Sequence, residues 1–139
     1  MSSVTSGNGR VIDIAIRIGI VVLTLTTAAI HLSLGGLLFT MNAVGYAALA
    51  VAMVAPLALA ERVRWLTRFA LLGFTLATII GWVLIGPRFP LAYTTKFIEV
   101  GLVALLIVEI LRAHGGPVGV LRQLATLIPA RFRWFAPSA

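Results

Sequence analysis

Few side chains in this sequence can hold or move a proton, and most of them sit inside long apolar runs. His31 lies deep in the first run, Asn42 and Tyr46 stand four apart in the second, and Lys96 and Glu99 stand three apart in the last. A spacing of three or four puts two side chains on one helix face. Lys96 and Glu99 can therefore pair, which lowers the cost of keeping both charged in a low dielectric. An imidazole beside that carboxylate would relay a proton or hold a polar ligand. Ionisable groups within apolar spans are costly enough to be functional candidates by default. The plainer reading has Lys96 snorkelling to the interface with Glu99 as its counter-ion, and His31 bonded to a threonine or a backbone carbonyl.

Other chemistries find no residues to carry them. The chain has no cysteine, which removes thiolate metal sites, iron–sulfur clusters and thiol catalysis. There is no nucleotide-binding glycine loop, no H-E-x-x-H, no paired acidic cluster and no G-x-S-x-G. Bis-histidine haem ligation needs two imidazoles at one depth, whereas His31 and His114 fall at different depths of the apolar spans. The expectation is a protein without catalytic residues or a metal site, and not an enzyme; a quinone- or lipid-linked role is the weak exception. The chain alone supplies no cofactor. Bound lipid, quinone or pigment would come with a partner complex.

The elements that must position the candidate residues follow from hydropathy. Sixty per cent of the residues are hydrophobic and only 11% charged, with a mean hydropathy of +1.08. A soluble domain of 139 residues cannot bury that much apolar side chain, so lipid must be the solvent for most of it. Four apolar stretches, about 18–39, 41–60, 65–85 and 91–111, are separated by charges or turn formers. Each matches a hydrocarbon core of about 30 Å at 1.5 Å per residue, and each must be helical to satisfy its own backbone. The predicted fold is an all-α integral membrane protein, a four-transmembrane-helix bundle. Residues 1–17 form a cytoplasmic tail, 18–112 the transmembrane domain and 113–139 a cytoplasmic interfacial region. Asn42 and Gly45 are the expected turn residues between the first two spans. The first span is too long for the core of a cleaved signal peptide.

Charge placement sets the orientation. Of the 11 Lys and Arg residues, nine fall on the side shared by the N-terminus, the loop after Ala60 and the C-terminus, leaving Arg88 and Lys96 for the other. Both termini are then cytoplasmic, in a bacterial-type inner membrane. After Gly115-Gly116-Pro117, Val118, Leu121, Leu124, Ala125 and Ile128 recur at helical spacing, which predicts a short C-terminal amphipathic helix on the membrane surface. Arg131, Arg133 and Trp134 alternate charge with aromatic rings, as suits contact with lipid headgroups or a partner; nucleic acid is not the expected partner. Ala48 and Ala52 resemble a small-residue helix-packing face, and Glu109 and Arg112 have the spacing of an interfacial ion pair.

Three functions fit this inventory. A small non-catalytic subunit of a larger membrane complex, most naturally in respiratory or photosynthetic electron transport, needs packing faces, short loops and other membrane subunits as partners. A small oligomeric transporter or channel would use His31, Lys96 and Glu99. A redox protein or enzyme acting on a lipid-soluble substrate would need more chemistry than the sequence offers.

Overall fold

The computed structural model describes the backbone of residues 4–55 and 58–126 and the side chains of 7–55 and 64–126. The described chain is helical with no strand: α1 Val4–Leu34, α2 Leu37–Val54, α3 Ala58–Ile85, α4 Pro90–Ala113 and α5 Pro117–Ala125. Three segments, Gly7–Leu34, Leu37–Val54 and Arg64–Ile85, are long and apolar enough to cross a membrane. The chain divides into two compact units, Met1–Glu109 and Ile110–Ala139.

Three boundaries differ from those the sequence suggests: besides the two ends of α1, the second span stops at Val54 and α3 begins at Ala58, so the loop expected after Ala60 lies within α3. The first helix already runs from Val4, so Arg10, Asp13 and Arg17 are helical residues rather than part of an irregular tail. Its end is also earlier. The break falls at Gly35 and Gly36, with φ of 70° and 82°, and not at Asn42 and Gly45, which lie inside α2. Consecutive left-handed residues stop a helix, and glycine adopts that conformation without steric cost. Gly45 serves a different purpose, since a Cβ there would lie 2.6 Å from Phe74 Cζ. A bare backbone at that point lets α2 and α3 approach closely.

In the first unit, the buried faces follow spacings of three and four, the seam of a helical bundle. α1 contributes Ile20, Thr24, Thr27 and His31, and α2 contributes Ala43, Tyr46, Ala50 and Met53. α3 contributes Arg68, Leu71 and Thr75, and α4 contributes Thr95, Glu99, Leu102, Leu106 and Glu109. Ala48 is exposed and Ala52 half-buried, so neither belongs to the buried stripe of α2. Tyr46 and Met53, both fully buried, set the rotation of α2 because the largest side chains must fill the core.

Along the bundle, the core has three levels. Ile20, Met53, Leu71, Leu102 and Leu106 are fully buried and belong to one apolar cluster. On one side of this belt lies the polar group around Glu99. On the other, ten residues or about 15 Å along α4, Glu109 Oε1 accepts from Arg68 Nη2 at 3.2 Å and from Arg17 Nε at 3.4 Å. The carboxylate that sequence spacing assigns to Arg112 thus reaches across the bundle to α1 and α3. Meanwhile the outer sides of the helices carry exposed apolar residues such as Val22, Leu38, Val51, Leu84 and Phe97.

The second unit contains the end of α4 and α5. Gly116 N–H donates to Leu111 C=O at 2.7 Å and Gly115 N–H to Arg112 C=O at 3.5 Å, with both glycines at positive φ. This is a Schellman-type helix end. Pro117 then opens α5 where its missing N–H costs nothing. None of the α5 residues is buried, and Val118, Leu121 and Leu124 are exposed. Ile128, Arg131, Arg133 and Trp134 lie outside the described residues.

Candidate functional site

The residues of the polar level come from all four helices of the first unit. His31 comes from the last turn of α1, Tyr46 from the buried stripe of α2, Thr75 and Thr78 from α3, and Lys96 and Glu99 from α4. Glu99 is completely buried. Its Oε2 accepts from Lys96 Nζ at 2.6 Å and from Thr78 Oγ1 at 3.1 Å. The one proton of Thr78 goes to Glu99 or to the Thr75 carbonyl, 2.8 Å away. The Tyr46 hydroxyl, 2.8 Å from Thr78 Oγ1, must therefore be the donor in that contact. When the Thr78 proton goes to Glu99, a short chain of hydrogen bonds runs from Tyr46 through Thr78 to the carboxylate.

The second oxygen of Glu99 is placed differently. Oε1 faces His31 Nε2 at 3.8 Å and makes no hydrogen bond among the described residues. The other ring nitrogen, Nδ1, lies 2.9 Å from the Thr27 carbonyl and can only donate there. A neutral ring would then turn its Nε2 lone pair toward a carboxylate oxygen. Two acceptors face each other, and a single proton carried by either one makes the contact attractive. An acceptor left unpaired in a buried site is expensive.

Beside the carboxylate network is a cavity of about 390 Å³, within the usual range for small-molecule sites. His31, Asn42, Thr78 and Lys96 line it together with aromatic and aliphatic side chains. Lys96 is half-buried; besides Glu99 it donates to the Thr78 carbonyl at 3.3 Å. The Tyr46 ring packs edge-on against Phe74, centroids 4.9 Å apart, and lies 5.6 Å from the His31 ring.

The residues singled out by type and spacing thus meet in part. His31, Tyr46, Lys96 and Glu99 form one connected group, and Asn42 stands on the cavity wall. Lys96 does not snorkel to the surface, and His31 both holds a backbone carbonyl and faces the carboxylate. Thr78 is the member that residue type alone does not reveal: it bridges Tyr46 to Glu99. Its signal in the sequence is the i, i+3 spacing from Thr75 on one face of a membrane helix. Among the described residues no group of three or more His, Asp or Glu side chains has the arrangement of a metal site.

Five fully buried apolar side chains lie between the Glu99 level and the Glu109 level, with Thr24 and Thr75 buried on the same helix faces. No family model, curated protein or solved structure matches this chain, and its chemistry is written in these side chains.

Proposed function

We propose that the chain is a four-span integral membrane protein of the small-transporter type, which holds a ligand beside the His31–Glu99–Lys96 group in the outer half of the bundle. The observation that carries this reading is Glu99, a fully buried carboxylate with one oxygen unbonded and facing His31, next to a cavity. Glu109 also keeps one oxygen, Oε2, unbonded among the described residues, so what supports a binding role at Glu99 is the cavity that its partners His31, Thr78 and Lys96 line. Four spans are favoured by the faces of α4. Its charges Lys96, Glu99 and Glu109 point inward while Phe97, Val100, Ile107 and Val108 are exposed, the pattern of a membrane helix with a polar inner side. At 24 residues it is about 36 Å long, enough for one crossing.

The charge asymmetry supports a topology with both termini in the cytoplasm of a bacterial-type inner membrane and α5 as an interfacial helix. Because the chain has no cysteine, single cysteines report sidedness cleanly. Arg10→Cys and Arg122→Cys should resist an impermeant thiol reagent added outside intact cells, and Arg88→Cys should react. External labelling of either of the first two would overturn the topology. Thr67, only 7% exposed, would be a poor reporter.

The accessory-subunit reading, in an electron-transport or other membrane complex, has one observation in its favour: Ala48 is exposed on the side of α2 away from the buried stripe. Small residues on an outer face allow close approach of another helix. One experiment separates the two readings. The protein is extracted mildly from its native membrane, and retained small molecules and proteins are identified by mass spectrometry. The ligand-binding reading expects a small molecule in about equal amount to the wild-type chain, lost from the Lys96→Met/Glu99→Gln variant. Its absence from both would overturn that reading. Stoichiometric pigment- or haem-bearing subunits would instead establish the accessory role.

A further inference from the structure

The cavity beside Lys96 has walls of two kinds. At the loop end it is braced: Trp82 Nε1 donates to the Pro87 carbonyl at 2.8 Å, Arg88 Nη2 donates to the Val83 carbonyl at 2.7 Å, and the Arg88 guanidinium lies 4.2 Å over the Trp82 ring. Between α2 and α3 the wall is thin. Ala77 is exposed, a Cβ added at Gly81 would meet nothing within 4 Å, and Leu38 and Ile85 at the rim are 67% and 88% exposed. Small residues and exposed apolar side chains make up this side of the cavity, the side that hydrocarbon would bathe in a membrane. A molecule entering there comes from the lipid and must be soluble in it.

The inner end sets the polarity of that molecule. An ammonium has three N–H donors. Lys96 uses one on Glu99 and one on the Thr78 carbonyl, which leaves the third for an acceptor in the cavity that Lys96 and Asn42 both line. Charge accounting then separates neutral from anionic ligands. Lys96 and Glu99 neutralise each other at 2.6 Å, so with His31 neutral an anion would sit in a low dielectric without a counter-charge. The ligand needs acceptor oxygens but no charge. Phe39, Phe74, Trp82 and Phe89 line the remainder, and aromatic walls favour stacked or edge-on contact with a flat ring. A volume of about 390 Å³ suits a ring system and is too small for the two acyl chains of a phospholipid.

We infer that this cavity binds a neutral, lipid-soluble ring compound bearing carbonyl oxygens, of the quinone type, which enters between α2 and α3 and places one carbonyl against Lys96 and Asn42. The inference rests on the ligand-binding reading above and names the ligand class for that site. It includes no redox step: the chain binds and orients the ring.

The test uses the full chain purified in mild detergent, with tritiated 2-methyl-1,4-naphthoquinone as probe in equilibrium dialysis against empty micelles. One saturable site per chain is the expected result. Gly81→Leu adds a side chain to a cavity-lining position where a Cβ meets nothing within 4 Å, and leucine is the better helix former. Its melting temperature should therefore hold while affinity falls by about tenfold or more, the scale of a lost contact of this kind. The Lys96→Met/Glu99→Gln variant should show a similar loss through the missing donor. Uptake that never saturates, or that is equal in wild type and Gly81→Leu, overturns the proposal. Displacement of the probe by palmitate at lower concentration than by unlabelled naphthoquinone also overturns it, because the site would then prefer an anionic amphiphile. That last result leaves the ligand-binding reading standing, whereas a wild-type extract holding no small molecule removes both.

Discussion

Lys96→Met and Glu99→Gln are each expected to destabilise the protein by about 3–5 kcal/mol, and the double variant by far less. Glu99 is fully buried, and the Lys96 side chain is 12% exposed, so water screens little of their attraction. Removing Lys96 alone leaves a carboxylate held by Thr78 and facing His31, without a counter-charge. Removing the carboxylate charge alone leaves an ammonium whose remaining bond is to the Thr78 carbonyl. In the double variant no buried charge is left uncompensated, and the amide oxygen introduced by Glu99→Gln can still accept from Thr78. Reversible unfolding in mixed micelles would measure the cycle, with a coupling of at least ~1 kcal/mol expected between contacting charges. Harmless, additive single changes would show that the two residues are not a buried pair. A double variant that folds well yet retains no ligand would separate the functional role of the pair from its structural one.

A comparable effect is expected at the opposite end of the bundle. Glu109 is 5% exposed and the Arg68 side chain 11%, so Glu109→Gln leaves a buried guanidinium without its counter-ion, at a cost on the order of 3 kcal/mol. Arg68→Met combined with Glu109→Gln should recover most of that loss. Arg17 is the weaker partner. Its side chain is 36% exposed and its contact longer, 3.4 Å, so solvent screening holds the effect of Arg17→Gln to roughly 1 kcal/mol or less. Unfolding midpoints of these variants would rank the contributions. If Arg17→Gln proved as damaging as Glu109→Gln, the assignment of Arg68 as the principal buried partner would be wrong.

What the sequence determined by itself was set by solvent and period. Long apolar runs imply helices in lipid because a lone backbone in hydrocarbon has no other way to satisfy its hydrogen bonds. The three-residue step from Lys96 to Glu99 implies their pairing because it is a local property of one helix, and the pair is present at 2.6 Å. The tertiary structure decided what depends on how helices rotate and where they stop. Two left-handed glycines ended α1 before the turn residues Asn42 and Gly45 could act, since backbone conformation overrides a count of apolar residues. The rotation of α2 put Tyr46 in the core and left Ala48 outside, because the bulkiest side chains claim the interior. Glu109 found Arg68 and Arg17 on other helices, a choice that spacing along one chain cannot express. Thr78 became the bridge between Tyr46 and Glu99 only when three helices met, since a threonine on an isolated helix would satisfy its hydroxyl on its own backbone.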